Sequence, residues 1–154
     1  MELDEVLRRR RSVRSFSPQD VEPEKVEALQ WAAERAPSAG GLNARHFVVV
    51  RDRETKRRLR EAALDQSFVE EAPVVIVCCC DLKRIRPYGR RGVELYTIQD
   101  VAASAENILL KAVDLGLGGV WVGAFREEEV KRILSLPPHL RPTAMICVGY
   151  PAQP

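Results

Sequence analysis

The stretch "YTIQDVAASAENILLKAVDLG", residues 96 to 116, constrains the fold more than any other part of the chain. It predicts a helix from Tyr96 to Leu115. Val101, Ala105, Ile108, Ala112 and Leu115 fall on one stripe, and Ala102, Leu109 and Val113 widen it. A helix this apolar and this rich in alanine has to be nearly surrounded by protein. The rest of the chain must therefore supply elements that cover it.

Those elements can be read in outline. Residues 3 to 11 predict a short helix that ends in an arginine cluster. A second helix is expected from Pro23 to Ala36, with Pro23 at its first position, where no amide partner is lost. Val26, Leu29, Ala33 and Ala36 give it one apolar face, and Pro37 stops it. "HFVVV" and "PVVIVCCCD" read as buried strands separated by a charged helix over residues 53 to 64. Residues 82 to 92 are basic, contain Pro87 and two glycines, and read as a mobile loop. After the long helix come a glycine turn with a short strand in "GLGGVWVGAF", a short helix in "REEEVKRIL" and a last strand in "TAMICVGY". Strands and helices alternate without a regular βαβ rhythm, so the expected class is α+β or an irregular α/β layer fold.

Length and charge narrow the function classes. At 154 residues the chain suits one domain, 1–154, with a real core. No apolar run approaches the roughly 20 residues of a membrane span. The N-terminus has acids before its bases and no apolar stretch of a signal peptide, so a cytoplasmic location is expected. There are 24 basic residues against 22 acidic ones, a net charge of +2, and only 6% aromatic residues. That balance argues against a nucleic-acid binder, which concentrates a basic excess. Cys78, Cys79 and Cys80 are consecutive and Cys147 stands apart; no CxxC occurs, and His46 and His139 are distant in sequence. No metal site is expected, and buried thiols acting as small apolar side chains are the simpler reading.

Three segments carry polar or glycine patterns that a core does not need. "RRRRSVRSF", residues 8 to 16, crowds five arginines into nine positions. Arg10, Arg11, Ser12 and Arg14 offer guanidinium forks and a hydroxyl suited to a phosphate, and equally make a solvated basic turn. "APSAGGLNARHF", residues 36 to 47, follows a helix with small residues, compatible with a close ligand or an ordinary turn. "LGLGGVWVGAF", residues 115 to 125, sets glycines on either side of Val120, Trp121 and Val122, as a flat ring or a close strand crossing would require. GxGxxG, P-loop and GxSxG signatures are absent.

In this order and at this spacing, the three segments resemble the nitroreductase family of flavoproteins. "EEAPVVIV" and "AMICVGYP" extend the resemblance over essentially the whole chain. The resemblance implies an α+β fold with a central mixed β-sheet flanked by helices and a long central helix in the core of a homodimer. It also implies FMN at the subunit interface, reduced by NAD(P)H and reoxidised by a small-molecule acceptor in ping-pong fashion, with no partner nucleic acid or membrane. Arg10, Arg11, Ser12 and Arg14 would surround the FMN phosphate and ribityl chain. Pro37, Ser38, Ala39 and Gly40 would reach the flavin of the partner subunit. Trp121, Val122, Gly123 and Ala124 would lie against the isoalloxazine ring. No catalytic acid or base is implied. The sequence departs from the family pattern at Asn43, Ala44 and Arg45, where many relatives carry a glutamine-proline-tryptophan run, and these three are expected to change what stacks above the flavin. A second departure is the end of the chain at Pro154, where relatives commonly continue with a basic residue for the phosphate.

Overall fold

Four strands form one antiparallel sheet in the computed structural model, which describes residues 1–152. They are β1 (Arg45–Val50), β2 (Val74–Asp81), β3 (Gly118–Val122) and β4 (Leu140–Gly149), in the order β1-β2-β4-β3. Helices cover both faces. The first face meets α2 (Pro23–Glu34) and α6 (Thr97–Asp114); the second meets α3 (Arg53–Ala62), α4 (Ser67–Glu71) and α7 (Glu127–Ile133). A short α1 (Leu3–Arg9) touches α6 near its C-terminal end. No helix among the described residues is long and apolar enough to cross a membrane. Pro154 lies outside the described residues.

Because both faces are covered, the central strands carry near-continuous apolar runs, Val74–Cys80 and Ala144–Val148, instead of alternating with polar residues. Ile76, Cys78, Cys80, Ala144, Ile146 and Val148 face Leu29, Ala33, Val101, Ala105 and Ile108. Val75, Val77, Cys79, Val120, Met145 and Cys147 face Leu59, Ala62, Val69 and Val130. The consecutive cysteines therefore divide between two cores, Cys78 and Cys80 in one and Cys79 in the other, as the two-residue repeat of a strand dictates. Burial pushes the Cys79 and Cys147 thiols up to about 12, and those of Cys78 and Cys80 upward as well.

Two sequence expectations need correction. The last strand was expected over "TAMICVGY"; it begins three residues earlier, at Leu140. Pro142 is tolerated because β3 pairs only with residues 145–149 of β4, and the register against β2 shifts beside it, between Cys78 and Cys79. The second correction concerns residues 82 to 92, which do not form an open loop. Asp81 accepts the amides of Lys83 and Arg84 at 3.1 and 2.9 Å and closes a turn. A 3-10 turn (Arg86–Tyr88), α5 (Gly89–Arg91) and a π-turn (Gly92–Tyr96) then lead directly into α6. Fully buried Ile85 anchors the segment.

Besides its apolar stripe, α6 carries a polar row, Thr97, Asp100, Ser104 and Asn107, spaced three, four and three residues apart. Ser104 Oγ donates to Ala33 O at 2.7 Å and Asn107 Nδ2 to Ala32 O at 2.9 Å, satisfying carbonyls in the last turn of α2. Thr97 Oγ1 donates to Ala44 O at 2.7 Å, and the Asp100 carboxylate accepts the Ala39 amide at 3.1 Å. Arg45, only 7% exposed, completes the arrangement. Its guanidinium donates to Pro37 O (3.0 Å), Asp100 O (2.8 Å), Ala36 O (2.5 Å) and Asn43 Oδ1 (2.9 Å). Arg45 thus lies beneath the 36–43 loop and stacks above nothing; Ala44 is buried too, which leaves Asn43 as the exposed member of that trio.

Three outcomes follow from this packing. Arg45→Met would leave three backbone carbonyls without their donor, and its stability should fall by at least about 3 kcal/mol, read from urea denaturation. Asp100→Asn should cost far less. Burial holds the Asp100 carboxyl above the ordinary carboxylate range, and the amide oxygen still accepts the Ala39 N–H. Native protein at pH 8 should show almost no reaction of its 4 cysteines with an aromatic disulfide reagent, and full reaction after denaturation.

Candidate functional site

At the end of α1 the backbone leaves helical geometry at Arg10 and becomes extended. Ser12 then pairs in parallel with Gly119 at the outer edge of β3, and the Val13 amide donates to Gly119 O at 2.9 Å. Glycine at 118 is what lets Val13 lie across the strand, since a Cβ there would come within 2.6 Å of Val13 Cγ2. Val13 is buried, so its neighbours Ser12 and Arg14 point the opposite way, to solvent. The segment continues beside the end of β4: Ser17 N donates to Tyr150 O at 2.8 Å and Ala152 N to Ser15 O at 3.0 Å.

This docking brings the arginine cluster to the strand that carries Trp121. Among the described residues, Arg10, Ser12 and Arg14 make no side-chain hydrogen bond or ion pair with the protein. Arg11 is exposed beside them. Trp121 sits between buried Val120 and Val122, yet is 41% exposed. The ladder ends at Val122, and Gly123 and Ala124 run on into solvent, tied back where Gln66 Nε2 donates to Ala124 O at 3.3 Å.

The remaining segment, Pro37 to Gly40, lies elsewhere. It rests on Asp100 in the first turn of α6, whereas a Cβ at Gly119 would touch Leu109, nine residues along the same helix. At the rise of an α-helix that separation is about 14 Å. No hydrogen bond among the described residues joins Pro37–Gly40 to Arg10–Arg14 or to Trp121–Ala124. One chain thus assembles the first and third segments and leaves the second apart, exposed at its own position.

Residues that sequence reasoning passed over surround this second segment. The Tyr88 hydroxyl lies 2.4 Å from where a Cβ at Gly40 would stand, and the φ of +57° at Gly40 favours glycine. Tyr96 meets Tyr88 edge to face at 5.4 Å, and the Arg91 guanidinium lies 5.6 Å over the Tyr96 ring. A cavity of about 380 Å³ opens between Pro37, Ser38, Ala39, Tyr96, Gln99 and Asp100. The 3-4-3 polar spacing on α6 was the legible signal for this region. At the other end of the helix, Leu3, Leu7 and Trp31 are 64%, 53% and 54% exposed, beside a groove lined by Met1, Val6 and Leu110. Among the described residues no cluster of His, Cys, Asp or Glu is arranged to hold a metal.

Comparison with known proteins gives a consistent picture. The family model described as "Nitroreductase family" matches residues 7–81 and 62–150. A protein of Thermus thermophilus named NADH dehydrogenase is 35% identical over 94% of this chain and 84% of its own length. An FMN reductase (NADPH) of Bacillus subtilis is 30% identical over 97% of this chain and 66% of its own. Among solved structures, nitroreductase A from Vibrio parahaemolyticus superposes with a TM-score of 0.91 at 31% identity, covering 99% of this chain and 69% of that one. An FMN-dependent nitroreductase from Clostridium difficile superposes at 0.85 with 28% identity, covering 97% and 87%. The family match spans nearly all of the chain, and the fold and segment order agree with it: this chain belongs to the nitroreductase family.

Proposed function

We propose that the chain is a single FMN-binding domain that works as a homodimeric NAD(P)H oxidoreductase and passes electrons to a nitroaromatic, quinone or free flavin. The observation that carries this reading is the docking of Ser12–Val13 on Gly119. It sets side chains without protein partners, those of Arg10, Ser12 and Arg14, beside the strand of exposed Trp121.

These residues fit FMN. A phosphate monoester carries nearly two negative charges, and Arg10, Arg11 and Arg14 with the Ser12 hydroxyl offer donors of the right kind. Trp121, Val122, Gly123 and Ala124 give one apolar ring and a side-chain-poor backbone for a planar ring system to lie against. When bound, FMN supplies reversible hydride chemistry. The chain's part is to hold and orient it and leave one face open, so that reductant and acceptor use the same place in turn. No acid or base from the chain is needed for that role.

The separated position of Pro37–Gly40 supports the dimer. These residues cannot complete the site beside Trp121 of their own chain, and in a two-fold assembly they serve the partner's. The exposed Leu3, Leu7 and Trp31 on α1 and α2 offer apolar surface for such an association.

Purified protein is expected to take up one FMN per chain, read by visible absorbance. Replacing Arg10 and Arg14 by alanine should raise the dissociation constant about tenfold or more for each guanidinium lost, while Arg132→Ala leaves it unchanged. Unaltered FMN affinity in the double variant would sink the assignment. In sedimentation the protein should run at twice the 17.3 kDa chain mass, and Trp31→Glu should shift it toward the monomer.

A further inference from the structure

The segment 83 to 91 is basic, with Lys83, Arg84, Arg86, Arg90 and Arg91. It contains no acid, and the two that flank it are committed: Asp81 caps the turn through the amides of Lys83 and Arg84, and Glu94 pairs with Arg90 at 2.8 Å. Lys83, Arg84 and Arg86 are exposed and make no side-chain hydrogen bond or ion pair among the described residues. Two contacts fix where this positive charge lies. Tyr88 packs on Gly40, and Arg84 shares a cavity with Asn43, so the segment runs alongside the 38–43 loop.

That cavity has a volume of about 320 Å³, at the small end for a ligand site, and is lined by Arg35, Asn43, Arg45, His46, Phe47 and Arg84. One carboxylate, Glu34, faces three arginines and a histidine. Arg35 has its guanidinium 5.1 Å over the Trp31 ring and no carboxylate partner. At the inner wall Arg45, more than nine-tenths buried, has used four of its donors and keeps a buried Nε without any acceptor. Positive charge is therefore held here in excess, in a concave place, next to the loop assigned above to the flavin.

We propose that this cavity holds the 2′-phosphate of the reductant's adenosine, and that the electron donor is NADPH rather than NADH. The inference rests on the function proposed above. The two nucleotides differ only at that position, where NADPH carries a phosphate monoester and NADH a hydroxyl. Sites that select the hydroxyl place a carboxylate against the ribose diol, whereas sites that select the phosphate place arginine there. Arg84 and Arg35, approaching from different elements, supply the planar forks that bind a phosphate through two oxygens at once. Glu34 alone, opposed by three arginines, is a poor diol acceptor and would repel a phosphate only weakly.

The test is binding of 2′,5′-ADP and of 5′-AMP to the purified protein by calorimetry, followed by steady-state kinetics with both reductants. The phosphorylated probe should bind at least about tenfold more tightly. Arg84→Ala and Arg35→Ala should each remove most of that advantage and lower kcat/KM for NADPH about tenfold while leaving kcat/KM for NADH nearly unchanged. Arg84→Glu should turn the preference toward NADH. Both side chains are exposed, so folding is not at stake, and thermal melts check it. Equal affinity for the two probes, or an equal loss with both reductants, overturns the proposal even if the protein binds FMN and is reduced. A protein that takes up no FMN defeats the functional reading instead, and the probe measurement still decides whether the cavity discriminates a phosphate.

Discussion

The guanidinium of Arg45 is the contact on which the rest of the arrangement depends. It stands at the start of β1, beneath a loop that has just left α2, and gathers carbonyls from that loop and from α6. Burying a guanidinium is costly unless its donors are met, and four of them are. In return one side chain joins three elements: the end of α2, the first strand and the central helix. Thr97, Asp100, Ser104 and Asn107 extend the same joint along α6. Each bonds a backbone group of the 32–44 region. The central helix is therefore held by two different forces on two sides, apolar packing against the sheet and hydrogen bonding against α2 and the loop.

This joint has a functional consequence. It shapes Pro37–Gly40 as a rigid projection instead of a slack connection, capped from above by Tyr88. A segment proposed to reach a neighbouring subunit gains from being ordered beforehand, because less conformational freedom is lost on assembly. The N-terminal segment is ordered differently, through a strand-edge bridge to Gly119 and a second attachment at Tyr150 and Ala152. Both segments proposed for the site are thus loops fixed by scaffold contacts at their flanks.

Net charge conceals how the arginines are used. On α3, Arg57 lies between Glu54 and Glu61, and Arg60 between Asp65 and Glu70, giving a solvated network that contributes little beyond local helix support. Among the described residues, Arg10, Arg14, Arg35, Arg84 and Arg86 have no such partners. The near balance of the whole sequence therefore hides two places where arginine side chains stand exposed without an acid beside them. Both places adjoin segments assigned to the nucleotide chemistry.

The sequence by itself determined the elements and their apolar faces. The stripe on the long helix, the alternation that divides Cys78 and Cys80 from Cys79, and the order of the three unusual segments were all legible, because periodicity and spacing are properties of a single chain. It misread what depends on neighbours. Pro142 could stay inside a strand only because β3 ends before reaching it. Residues 82 to 92 became helical turns because Ile85 found a place in the core. Arg45, expected to change what stacks above the flavin, turned inward and donates to three carbonyls and an asparagine oxygen. Tertiary structure alone decided that Ser12 docks on Gly119, that Pro37–Gly40 lies about 14 Å along α6 from that point, and that Arg84 shares a cavity with Arg35. The reason is common to all three: hydrogen bonds and charges are satisfied by partners distant in sequence, and only the folded chain shows which partners arrive.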